Sequence, residues 1–202
     1  MMKRIALLAL LALPLVAFAD SIDTTNSGGK LAGSTAGMSL SGSQLIAVNG
    51  FNGGSVITGT SLGSVVFSTG TLSGGSLQMG GTFNGGGSFV IASTGASGLP
   101  SGTLFNGSFT GPVTWTLVTL FNGTHNYILS GTVSGTWYNG STVYGATTQL
   151  TINTGRGFFN GTTSISSGDT NIVTSVPEPG TLGLLGTGLV GIAGAMHRKF
   201  KS

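Results

Sequence analysis

The sequence predicts an all-β domain of antiparallel hairpins, held between an apolar segment at each end. Three observations carry this expectation. An aromatic residue followed by Asn-Gly occurs six times, beginning at Phe51, Phe83, Phe105, Phe121, Tyr138 and Phe159. Between these units apolar and polar residues alternate, and no stretch shows helical periodicity.

Asn-Gly is the preferred pair for a type I′ hairpin turn, where both central residues need positive φ. Each unit is therefore expected to be a turn, with its aromatic side chain closing a strand and packing across it. Val113, Trp115 and Leu117 share one face of their segment, with Thr114 and Thr116 on the other. Tyr144, Ala146, Thr148, Leu150 and Ile152 alternate in the same way. On this register Trp115 belongs to the core. The units are unevenly spaced, which argues against a strict solenoid and suits hairpins of unequal length. The expected architecture is an antiparallel β-sandwich or flattened barrel over residues 39–175, with a right-handed β-helix as the alternative. Residues 20–38 are rich in Gly, Ser and Thr and are expected to form a flexible arm.

The N-terminal end has the three parts of a signal peptide. Lys3 and Arg4 precede the apolar run Ile5–Leu13, and Ala17 and Ala19 stand at the positions a signal peptidase inspects. Pro14 interrupts the run, which is short for a membrane span of about 20 residues. At the other end, Thr181–Met196 is apolar apart from two threonines, and His197-Arg198-Lys199-Phe200-Lys201 follows. A transmembrane helix over 181–196 with a basic tail at 197–202 would stop transfer and hold a precursor in the inner membrane.

Just before that helix stands Val176-Pro177-Glu178-Pro179-Gly180. The motif, an apolar Gly-rich span and a basic tail, in that order, resemble the PEP-CTERM protein-sorting domain over residues 176–202. The resemblance implies recognition by an exosortase, a membrane transpeptidase that removes the tail. Val176, Pro177, Glu178 and Pro179 form the sorting motif, and Pro177, Glu178 and Pro179 would be the recognition residues. It also implies a place at the cell surface or in the extracellular matrix of bacteria that make exopolysaccharide and biofilm. It assigns nothing to residues 20–176, because such signals sit on unrelated cargo. Physically, two prolines hold the segment extended and available to a cleft.

Composition narrows the remaining functions. The basic residues concentrate at the ends, and between them Asp20, Asp23 and Asp169 face only Lys30 and Arg156. That balance offers no basic patch for nucleic acid. No cysteine is present, so disulfides and thiolate metal sites are excluded. Gly59-Thr60-Ser61-Leu62-Gly63 matches a nucleophile elbow, but a triad of Ser61, His125 and Asp169 has no α/β pattern to support it. No catalytic set, metal site or cofactor is expected. A structural or interaction role is the first expectation, and a carbohydrate-binding module that recognises exopolysaccharide is the second. Trp137 and Tyr138 are the candidates for stacking on sugars. Successive strand residues face opposite ways, so one of the two rings should be exposed.

Export is expected to remove residues 1–19. N-terminal sequencing of the surface-exposed form should then begin at Asp20, and a mature chain beginning at Met1 would contradict the reading.

Overall fold

Every strand pairing in the computed structural model, which describes residues 20–174, is antiparallel. The strands are β1 (Asp20–Ser27), β2 (Lys30–Ser34), β3 (Gly37–Asn49), β4 (Ile57–Ser68), β5 (Leu72–Ser76), β6 (Gly80–Phe83) and β7 (Gly86–Thr94). They continue as β8 (Ser101–Phe109), β9 (Val113–Thr119), β10 (His125–Trp137), β11 (Thr142–Gly155), β12 (Thr162–Ser164) and β13 (Ser167–Thr174). Two single 3-10 turns, Phe51–Gly53 and Ala96–Gly98, interrupt them.

Eight strands close a barrel in the order β1-β3-β4-β7-β8-β10-β11-β13, with β13 returning to β1. An even number is required if every neighbour is to be antiparallel, and closure leaves the ring without free edges. Two staves are long enough to serve two partners along one edge. In β3, Gly37–Ser41 pairs with β2 while Gln44–Asn49 pairs with β1. In β10, His125–Ser130 pairs with β9 while Val133–Trp137 pairs with β8. The short strands β2-β12 and β9-β6-β5 extend the sheet outside the ring from these two places.

The core is aromatic and polarised in two groups. Phe67, Phe89, Phe105 and Phe109 meet through stacked and edge-on contacts with centroids 5.7–6.1 Å apart. Trp115 stacks on Tyr127 at 4.7 Å, and Phe159 meets Trp115 edge-on at 5.2 Å. The polar atoms of this second group are satisfied by the turn between β5 and β6. Trp115 Nε1 donates to the Leu77 carbonyl at 2.8 Å, and Tyr127 Oη donates to that of Gln78 at 2.6 Å. A narrow polar strip also faces inward, where Thr148 and Thr170 hydroxyls meet at 3.0 Å and Asn26 Nδ2 donates to Ser43 Oγ at 2.7 Å. With apolar residues inside and Ser, Thr, Asn and Asp outside, the polarity is opposite to that of a lipid-embedded barrel. No helix among the described residues is long and apolar enough to cross a membrane, and the expected span 181–196 lies outside them.

Of the two expected architectures, the barrel is the one formed, and antiparallel pairing throughout removes the β-helix alternative. Residues 20–38 are not a loose arm. Asp20–Ser27 is a stave of the barrel, paired to β13 on one side and β3 on the other, and Lys30–Ser34 is an outer strand. Their low hydrophobicity misled because β1 faces the polar strip through Thr24 and Asn26, both buried.

The Asn-Gly units behave in several ways. Only Asn52-Gly53 has both residues at positive φ, 52° and 69°, with Gly54 N–H donating to the Phe51 carbonyl at 2.9 Å. Asn106-Gly107 lies mid-strand in β8, contrary to expectation, because Asn106 is held between Val90 and Thr136 by pairing on both edges. Phe121-Asn122-Gly123 and Tyr138-Asn139-Gly140 are hairpin loops, but of the three-residue kind, in which only the glycine, at 76° or 84°, is left-handed. In both, the Asn Oδ1 accepts the backbone N–H two residues on at 3.0 Å. The two loops carry the same pair of cross-loop bonds, Leu120 N–H to Thr124 O with Gly123 N–H to Leu120 O, and Trp137 N–H to Ser141 O with Gly140 N–H to Trp137 O.

Gly123→Ala should lower stability by about 1 kcal/mol, the usual cost of a left-handed Cβ. Asn122→Ala should cost about 0.5–1 kcal/mol through its lost side-chain hydrogen bonds rather than through its own φ. Urea denaturation of both variants checks this, and an unchanged midpoint for Gly123→Ala would contradict the turn geometry.

Candidate functional site in an open groove on the outer wall

The interior of the described residues is filled by a continuous apolar cluster, and the groove lies on the outside. The outer face of β9, β10, β11, β13 and β1 carries two rows of polar side chains, each running straight across the strands. One row is Thr114, Ser130, Gln149, Asp169 and Thr25, successive residues being register partners. The next is Thr132, Thr147, Asn171 and Asp23, again in register, and it ends on Asn49 of β3. Apart from their end members Thr25 and Asn49, the two rows line an open groove of about 500 Å³ that is also bordered by Gly111 and Pro112.

Local structure explains this placement. Alternation points every second residue of each strand outward, and uninterrupted registry stacks those residues into rows. The groove holds two of the three aspartates of the barrel strands, Asp23 and Asp169, which stand diagonally across the β1–β13 pair. Each is held by a neighbour. Asn171 Nδ2 donates to Asp23 Oδ1, and Thr25 Oγ1 donates to Asp169 Oδ1 at 2.9 Å. Thr114 and Ser130 share a hydroxyl–hydroxyl bond of 2.7 Å. Among the described residues no lysine or arginine lines the groove.

Tyr144 stands one outward position beyond Thr147 on β11 and is 69% exposed. The simple alternation expected of Tyr144 and Ala146 would turn both inward, and the structure corrects this. The β11–β13 register slips between Val143 and Thr147, where Gly145 adopts φ 67° and its N–H donates to Ser134 Oγ at 3.0 Å. The bulge inserts one residue, so Tyr144 turns outward while Ala146, Thr148, Leu150 and Ile152 stay inside. The glycine within an otherwise regular strand was the signal available for this.

The stacking candidates read from the sequence divide. Trp137 is only 3% exposed and packs near Phe51 and Phe105, so it cannot serve as a stacking platform. Tyr138 is exposed in the hairpin loop, but its ring lies 5.4 Å from Phe51 and its hydroxyl donates to Asn52 Oδ1 at 3.2 Å. Trp115 is buried as expected. Phe121, by contrast, is fully exposed at its loop tip instead of packing across the strand, and Phe158 is exposed with its ring 4.3 Å from that of His125.

The residues of the conceivable triad are not assembled. Ser61 lies within strand β4, His125 Nδ1 donates to the Gly157 carbonyl at 3.3 Å, and Asp169 is bonded to Thr25. Among the described residues no three His, Cys, Asp or Glu side chains gather where a metal ion could be held. The signal-cleavage residues Ala17 and Ala19 and the sorting residues Val176, Pro177, Glu178 and Pro179 lie outside the described residues.

The fold is thus a closed antiparallel barrel that carries a polar groove on its outer wall. A family model described as the PEP-CTERM protein-sorting motif matches residues 175–199, which begin directly after β13. The chain carries that sorting motif, which implies an exported protein processed by an exosortase. No curated protein and no solved structure matches the chain.

Trp137→Ala should destabilise the barrel by about 3–5 kcal/mol, as expected for emptying a buried aromatic site. Tyr138→Ala should cost less than half as much. Thermal and urea unfolding of the two variants would check the order, and equal losses would contradict the assigned burial.

Proposed function

We propose that this protein is a structural or interaction component of the cell surface or extracellular matrix, linked to exopolysaccharide or biofilm. The observation that carries the reading is the sorting motif placed immediately after a small closed barrel. In this reading the precursor is anchored in the inner membrane, signal peptidase frees its N-terminus, and exosortase removes its tail. The barrel is the delivered cargo.

Its construction supports a passive, durable role. Closure leaves the eight staves of the ring without a free edge, so only the short outer strands present one, and backbone pairing around the ring protects the chain outside the cell. The non-enzymatic reading is supported by the chemistry of the polar groups. General acid–base catalysis needs titratable groups at short range from one another and from a bound substrate. His125 is instead stacked on Phe158 at one end of β10, away from Asp169, which is paired to Gln149 and Thr25 in the middle of the sheet. Carbohydrate binding is the second reading, and the outer-wall groove favours it.

Glu178→Ala and Pro177→Ala should each leave an unprocessed inner-membrane precursor, detected by cell fractionation and by the mass of the retained tail. Normal release of both variants would overturn the sorting reading. The released wild-type protein should also show no hydrolysis of glycans or esters. Activity abolished by Ser61→Ala or Asp169→Ala would overturn the non-enzymatic reading.

A further inference from the structure

We propose that the groove of Asp23, Asp169, Gln149 and Asn171, together with the exposed ring of Tyr144, is a binding site for an internal stretch of a neutral polysaccharide. The proposal rests on the surface-interaction reading above and names the ligand class for it.

The residue types select a ligand. Carboxylates accept hydrogen bonds and cannot donate them when ionised, while the carboxamides of Gln149 and Asn171 do both. Beside them stand the hydroxyls of Thr132 and Thr147. Such a surface suits a partner with many closely spaced hydroxyl groups, each able to donate and accept. Tyr144 adds an apolar face next to that polar array, and a flat amphipathic ring is suited to covering the C–H face of a sugar while its hydroxyl stays in water.

Charge selects further. The charged groups among the described residues lining the groove are Asp23 and Asp169, both anionic. A polymer of acidic sugars would bring its carboxylates against them without compensation, so an acidic polysaccharide is disfavoured and a neutral one is accommodated. Shape narrows the choice again. The groove is open, so a chain can lie across it, whereas a closed pocket would select a chain end.

The site is also pre-ordered. The four polar residues sit on β1, β11 and β13, successive staves of the ring, and their registry is fixed by continuous ladders. Asp23 and Asp169 are each oriented by a bond from a neighbouring strand. For Asp23, Asn171 and Asp169, little side-chain freedom remains to be lost on binding.

The test uses the full-length protein in non-ionic detergent, with dextran, galactomannan and xylan as neutral probes and polygalacturonate as the acidic one. Affinity electrophoresis should show retardation by at least one neutral polymer and none by polygalacturonate. Tyr144→Ala should weaken the retardation about tenfold without changing the thermal midpoint, and Tyr144→Phe should preserve it. Asp23→Asn with Asp169→Asn should relax the exclusion of polygalacturonate. Failure to bind all three neutral probes, stronger binding to polygalacturonate, or loss of binding in Tyr138→Ala but not in Tyr144→Ala would each overturn the proposal. Cell fractionation of the wild type keeps the two readings apart. A protein that reaches the surface but binds no neutral polymer sinks only the glycan site, whereas one that never leaves the cytoplasm sinks the surface role itself.

Discussion

The pairing of the first described strand with the last is the constraint on which the barrel depends. Asp20 is opposite Thr174, and the ladder continues to Asn26 opposite Gly168. With β11 on its other side, β13 is the stave that joins the two ends of the sheet. Without it β1 and β11 would each present a free edge, and the inward hydroxyls of Thr24 and Thr148 would lose their partner Thr170. These contacts link residues nearly the whole domain apart in sequence. Bringing ends so distant in the chain together carries a loop-closure entropy cost that the ladder must offset.

This constraint connects the fold to export. The closing strand is followed at once by the matched sorting motif, and the opening strand begins where signal cleavage is expected. A chain emerging from its N-terminus cannot complete the ring until its last strand is available, and that strand ends immediately before the matched sorting motif. Both described chain ends leave the barrel at the same rim, beside the Tyr138 loop and the Asn49–Ile57 connection.

The same pairing also builds the candidate site. Asp23 and Asp169 are far apart in sequence and belong to opposite ends of the domain, and only the β1–β13 register sets them side by side. The β11–β13 ladder brings Gln149 and Thr147 beside them. The bulge at Gly145 then presents Tyr144 outward on the same wall. A solvent-facing surface with this much order is a consequence of closure, because a closed ring allows almost no strand slippage.

Strand-forming alternation, Asn-Gly loops and export signals act over a few residues, so the sequence by itself determined the all-β antiparallel class, the loops at Phe121–Gly123 and Tyr138–Gly140, and the sorting motif. Their physics is local: the backbone preferences of Asn-Gly, the side-chain period of a strand, and the short run of residues that spells the sorting motif. What only the tertiary structure decided depends on partners distant in the chain. Asn106-Gly107 became strand because β7 and β10 pair with it on both sides, overriding its turn preference. Asp20–Ser27 became a stave because β3 and β13 supply the partners its own composition does not advertise. Trp137 went inward and Tyr144 outward because a bulge and a ring of neighbours fixed their faces, which no alternation within one strand could specify. The groove was likewise invisible in the sequence, since a carboxylate on each of two distant strands becomes a site only when the barrel closes and makes them neighbours.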